Sequence, residues 1–127
     1  MEITFPGGVK VNAQLKDFEI ATDQPERNGG DNTAPSPFDL FLSSLGTCAG
    51  FFALRFCQQR DLPTEGLTMS LESQFNKETK TLEKVKITMQ LPKDFPEKYR
   101  SAIIRATDQC AVKKALVDPP EVELITL

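Results

Sequence analysis

The side chains best suited to covalent chemistry in this sequence are three cysteines. Cys48 and Cys57 lie in the stretch SLGTCAGFFALRFCQQ, and Cys110 lies far downstream in TDQCAVKKAL. There is no histidine, which removes Ser-His and Cys-His catalytic pairs and most zinc sites. There is no CxxC, so neither a thioredoxin-type redox pair nor a zinc knuckle is expected, and no cofactor or metal is called for. Two thiols on different helices could still act together. A peroxide oxidises the more ionised and accessible one to a sulfenic acid, and the other condenses with it to a disulfide, which protects against over-oxidation. The plainer reading makes each cysteine a small buried hydrophobe. Spacing alone does not separate the two readings.

Local helix physics ranks the thiols. At about 100° per residue, Cys48 sits roughly 60° from Leu45, on the border of an apolar stripe and so at the edge of a core. Cys57 falls well off the centre of that stripe, with a helix contact as its expected place. Cys110 is expected in the first turn of a later helix, after Thr107 and Asp108, either of which can cap. Unpaired backbone N–H groups and the positive end of the helix dipole favour a thiolate there. On this ground Cys110 is the thiol most readily ionised. A reactive Cys48 needs a cation from elsewhere. Arg55 is two turns along the same helix, roughly 10 Å away by helix rise, which leaves Arg27 as the candidate.

The elements that must hold these residues are readable from periodicity. Ile3 and Phe5, then Val9, Val11, Ala13 and Leu15, alternate with polar residues around Pro6-Gly7-Gly8, which predicts a hairpin with one buried face. Phe18-Glu19-Ile20 predicts a third short strand. QPERNGGDN, residues 24–32, has the composition of a mobile loop. Ser36-Pro37-Phe38-Asp39 is a helix start: N-cap serine, proline at the first position, and an acid three residues after the cap. Apolar residues at Phe38, Phe41, Leu42, Leu45, Ala49, Phe52 and Phe56 predict a helix to about Arg60, central and covered on more than one side. Strands are expected over 67–75 and 82–91, helices over about 96–106 and 108–117, and a last strand at Val122-Leu124-Thr126. This order is α+β: antiparallel sheets and one long helix, not a repeating βαβ fold.

The 127 residues suit a single domain over 1–127. A net charge of −3 and a pI near 5.0 give no general electrostatic reason to bind nucleic acid or an anionic membrane surface. No uninterrupted apolar run approaches a membrane span, and MEITFPGG has no signal-peptide pattern. A reducing, cytoplasmic setting is expected, because the cysteine number and spacing do not suit a disulfide-stapled secreted domain.

PSPFDLFLSSLGTCAG followed some way downstream by DQCAVKKAL resembles the OsmC/Ohr family, the osmotically inducible and organic hydroperoxide resistance proteins. The order of elements resembles that family along essentially the whole chain. The resemblance implies an OsmC-like fold, antiparallel sheets packed around a long central helix in an intertwined homodimer, with active sites at the dimer interface. It implies a thiol peroxidase acting on organic, including fatty-acid, hydroperoxides. Cys48 would then be the peroxidatic thiol, Cys110 the resolving thiol, and an external dithiol the reductant. That order reverses the ranking from helix position.

The sequence also departs from the family pattern. The activating Glu of the best-known peroxidases falls at Phe38, and the acid stands one place later at Asp39, with the capping box as its expected task. The N-terminal strands contain no Arg; Lys10 and Lys16 are the only cations before Arg27. The chain thus resembles a divergent OsmC-like branch. Phe38, Phe41, Leu45, Phe51 and Phe52 could line an apolar pocket for an alkyl chain, or serve as core and dimer contacts. Three readings stand: the peroxidase, a non-catalytic module binding an apolar ligand at the dimer interface, and a structural dimer without a ligand.

Overall fold

The computed structural model describes residues 1–127. The chain divides into two compact units, Met1–Ser43 and Ser44–Leu127.

In the first unit, β1 (Glu2–Gly7), β2 (Lys10–Leu15) and β3 (Phe18–Ile20) form an antiparallel sheet in that order. The β1–β2 turn needs glycine, since Gly7 and Gly8 take φ of 139° and 58°, a region costly for a side chain. Ile3 pairs with Ala13 and Leu15 with Phe18. The Gly-rich stretch after β3 is not the loose loop its composition suggests. It contains a 3-10 turn, Glu26–Asn28, and is threaded with hydrogen bonds, among them Asn28 N–H to Pro25 O at 2.8 Å and Asn32 N–H to Gln24 O at 3.1 Å. A Cβ on Gly30 would lie 1.8 Å from the Gln24 carbonyl oxygen, so only glycine fits there.

Helix α1 (Pro37–Gln58) begins as its sequence predicts. Ser36 N–H and Oγ–H bond Asp39 Oδ2 at 2.9 and 2.7 Å, and Asp39 N–H donates to Ser36 Oγ at 3.2 Å. This is a capping box with Asp in the Glu position. At the other end, Asp61 turns left-handed with φ 52°, and Leu62 N–H returns to Cys57 O at 3.0 Å. The helix therefore closes just short of the expected Arg60.

The second unit holds the larger core. Strands β4 (Thr68–Phe75) and β5 (Leu82–Gln90) form an antiparallel hairpin in which Met69 faces Met89 and Leu71 faces Ile87. The middle of α1 lies close against it. A Cβ on Gly46 would meet Leu71 Cδ1 at 3.7 Å, and one on Gly50 would meet Met69 Sδ at 3.8 Å. Ala53, Phe56 and Cys57 of α1 join Phe95 and Ile103 in the buried centre. Ile103 belongs to α2 (Arg100–Thr107), entered through a 3-10 turn at Glu97–Tyr99. Helix α3 (Ala111–Val117) follows.

Other expectations change. The buried stripe of α1 runs through Leu45, Ala49, Ala53, Phe56 and Cys57, while Phe51 is 53 % exposed and Leu54 is exposed as well. One face of this chain's helix is covered rather than several, because apolar content counts what a helix could bury and not what is present to bury it. By length and mean hydropathy alone α1 is long and apolar enough to cross a membrane, although polar residues interrupt it and its inner face packs in the core. Finally, residues 122–126 are not a strand; Val122 and Leu124 are 86 % and 95 % exposed. Alternation sets which side chains share a face, but a strand forms only where another strand's backbone pairs with it.

Candidate active site

The structure brings Cys48 and Cys110 together within the second unit. Cys48 is half-buried on α1, and Cys110 is 2 % exposed at the start of α3. Neither residue expected to cap α3 does so. Thr107 Oγ donates to Ile103 O at 2.8 Å, and Asp108 pairs with Lys113. Cys110 is itself the N-cap, accepting Lys113 N–H on its sulfur at 3.4 Å.

The electrostatics of the pair are asymmetric. Hydrogen-bond donors from the Cys110 side chain and from the backbone N–H groups of Val112 and Ala111 act on the Cys48 thiol. These donors hold the Cys48 thiol below its usual range against a smaller opposing effect of burial. Burial, together with donation to Cys48, pushes the Cys110 thiol up. The ranking drawn from helix position is thus reversed. The free N–H groups of the first turn do stabilise a thiolate, but on a neighbouring helix. The capping residue receives only the Lys113 N–H and is enclosed. Cys57 is wholly buried in the core, and burial raises its thiol despite the nearby Arg60.

The other expected site residues fall into separate groupings. In the first unit Asp39 is engaged by Ser36, and its carboxyl is held below the usual range by those hydrogen bonds and by the charge of Arg27. Phe38 and Phe41 rings lie 5.4 Å apart. In the second unit Phe51 and Phe52 meet edge to face at 5.5 Å, and Leu45 is core. The guanidinium of Arg55 lies over Phe51, 6.0 Å from the ring centre. No group of three Cys, Asp or Glu side chains is placed to hold a metal.

Sequence reasoning missed Asp23, a carboxylate 1 % exposed in the first unit. Its Oδ1 accepts Gln24 N–H at 2.8 Å. Its Oδ2 accepts Thr33 Oγ–H at 2.8 Å, Thr33 N–H at 3.0 Å and Asp31 N–H at 3.2 Å. The bonds from Thr33, with those from Gln24 and Asp31, lower its pKa to about 2. An Asp opening a glycine-bearing polar loop was the available signal, since Asp side chains cap turns by accepting such N–H groups.

Antiparallel sheets and one long helix, with two thiols brought together from α1 and α3, define an α+β protein. The OsmC-like protein family model matches residues 29–125. The chain belongs to that family. No curated protein matches it in sequence. Among solved structures, it is similar to an osmotic stress induced and detoxification response protein from Psychrobacter arcticus 273-4. That likeness is 22 % identical, with TM-score 0.76, over 90 % of this chain and 85 % of that one. It is similar to an organic hydroperoxide resistance protein OsmC from Legionella pneumophila, 14 % identical with TM-score 0.58 over 91 % and 85 %. It is also similar to an organic hydroperoxide resistance protein from Vibrio cholerae O1 biovar eltor, determined with captopril in one active site, 20 % identical with TM-score 0.59 over 90 % and 81 %. At these identities the likeness is one of fold.

Proposed function

We propose that this protein is a thiol peroxidase that reduces organic hydroperoxides, with Cys48 as the attacking thiol and Cys110 as the resolving one. The observation that carries the reading is the set of three donors on the Cys48 sulfur: the Cys110 S–H and the N–H groups of Val112 and Ala111. A thiolate is the nucleophile in peroxide reduction, and this sulfur is the one thiol in the chain held toward that form.

The chemistry balances with the groups present. The Cys48 thiolate attacks the distal peroxide oxygen, the O–O bond breaks, and a Cys48 sulfenic acid and an alkoxide result. The Cys110 S–H lies beside the reacting sulfur and supplies the proton that makes the alkoxide an alcohol. Cys110, now a thiolate, attacks the Cys48 sulfur; the S–O bond breaks, and hydroxide leaves as water with a solvent proton. An external dithiol reduces the disulfide and is itself oxidised. The exposed apolar side chains of β1, β3 and α1, including Phe5, Phe18 and Phe51, support a homodimer that covers them. The names of the Legionella and Vibrio relatives point to the same substrate class.

The test is intact mass under non-reducing conditions after one equivalent of cumene hydroperoxide, with peptide mapping. Loss of two hydrogens mapped to Cys48–Cys110, followed by turnover with dithiol, is expected. No oxidation at modest excess overturns the peroxidase and favours the ligand-binding module.

A further inference from the structure

We propose that Arg55 is a specificity-determining residue, which binds the anionic end of a hydroperoxide whose peroxide group sits at Cys48. The inference rests on the peroxidase reading above and names the kind of substrate that the same site favours.

Arg55 follows Cys48 on α1, two turns further on. At about 100° and 1.5 Å per residue, it lies within roughly 20° of Cys48 around the helix and about 10 Å along it. That separation is too long for the charge to act on the sulfur, and Arg55 is not among the groups that shift the Cys48 thiol. It is a fitting span for the two ends of one substrate. Phe51 and Phe52 fall between them, one on each side of the joining line, with their rings 5.5 Å apart.

The Arg55 side chain is aimed along this line. A cation in the last turn of a helix ordinarily serves the free carbonyls at the C-terminal end. Arg60 does so, donating to Phe56 O at 3.3 Å. The Arg55 guanidinium instead lies back over the exposed Phe51 ring, one turn nearer Cys48. Its charge is also unanswered. The residues three and four places away are Phe51, Phe52, Gln58 and Gln59, and α1 has no acid after Asp39. None of the ion pairs in the structure includes it, whereas Arg100 pairs with Glu97 at 2.8 Å. An exposed aromatic surface ending at an open guanidinium fits a molecule with an apolar body and a carboxylate at its far end. A homodimer that covers Phe51 sharpens the requirement, since it takes the guanidinium out of water, where an unpaired charge is costly.

The experiment compares ω-hydroperoxyoctanoate with its methyl ester, two substrates of one length that differ in the charge at one end. Second-order rate constants for Cys48 oxidation are measured in the full chain for the wild type, Arg55→Gln and Arg55→Lys, with circular dichroism as a fold control. At neutral pH and low salt the wild type is expected to react with the acid at least fivefold faster than with the ester. Arg55→Gln should bring that ratio near one, and Arg55→Lys should keep most of it. The preference should also shrink at high salt and vanish for the shorter ω-hydroperoxybutanoate, which does not reach. An equal loss on acid and ester in folded Arg55→Gln means a structural role and overturns the proposal, as does a wild-type ratio near one. Should Arg55→Gln not fold, Arg55→Lys and the dependence on salt and chain length decide. If neither substrate nor cumene hydroperoxide oxidises Cys48, the peroxidase falls and this inference falls with it. Oxidation without a charge preference is the distinct result that leaves the peroxidase standing and overturns the role of Arg55.

Discussion

At the scale of single residues, the Cys48–Cys110 contact makes two thiols of one type chemically unlike. Iodoacetamide alkylation followed by mass spectrometry should show Cys48 reacting from a lower pH than Cys110, with Cys57 protected until the chain unfolds. Replacing Cys110 by Ala removes the donor, and the Cys48 midpoint should move up; Cys110→Ser keeps a hydroxyl donor and a good N-cap, and should move it less. In both variants the sulfenic acid should persist and be trapped by dimedone. The sign of the pH effect on stability follows from the same shift. A thiol lowered in the folded state stabilises the fold above its unfolded pKa, and that contribution is lost as pH falls through the lower value. Asp23 acts in the acid range: its contribution is present above the ordinary carboxyl value of 3.8 and is lost as pH falls toward about 2. Urea midpoints for wild type should drop across that window, and Asp23→Asn should flatten the drop. The cysteines were legible in sequence because their motifs are local. Which one is ionised was not, because the donors come from the backbone of a helix that contacts Cys48 only after folding. Asp23 was hidden for the same reason: one carboxylate gathers donors from Gln24, Asp31 and Thr33.

At the scale of elements, α1 approaches the β4–β5 hairpin at Gly46 and Gly50, where there is room for a methyl group and little more. An alanine at Gly50 meets Met69 at an ordinary contact distance and should be tolerated. Leucine there should cost about 1–3 kcal/mol by overpacking, read as a lower melting temperature. Ile103→Ala empties the fully buried centre and should cost about 2–5 kcal/mol. Ser36→Ala removes an α1 cap and should cost about 1 kcal/mol. The start of α1 was legible to the residue, since Ser36, Pro37 and Asp39 each have a fixed place in a cap. The face that α1 buries was less so. Phe38, Phe41 and Phe52 drew the stripe toward the bulky residues, whereas the contact surface runs along Ala49 and Ala53, where a sheet can come near. The strand expected at residues 122–126 failed for a different cause: pairing is a property of two segments, and one segment's alternation says nothing of the other.

At the scale of the whole molecule, the β1–β3 sheet exposes Ile3, Phe5 and Phe18. Three strands need an apolar face covered to be stable. Light scattering in solution should give twice the 14.1 kDa chain mass, and Phe5→Asp with Phe18→Asp should shift it toward the single chain. Such exposure reads in sequence only as hydrophobicity, which does not say whether the cover comes from the same chain. The placement of Cys57 has a consequence at this scale as well. Three thiols can in principle join as Cys48–Cys57, Cys48–Cys110 or Cys57–Cys110. With Cys57 sealed in the core and its thiol kept protonated, two of those linkages require the chain to unfold first. On the proposed chemistry the folded protein would narrow its own redox combinatorics to a single couple, and a spare thiol would be carried through oxidation cycles without scrambling them.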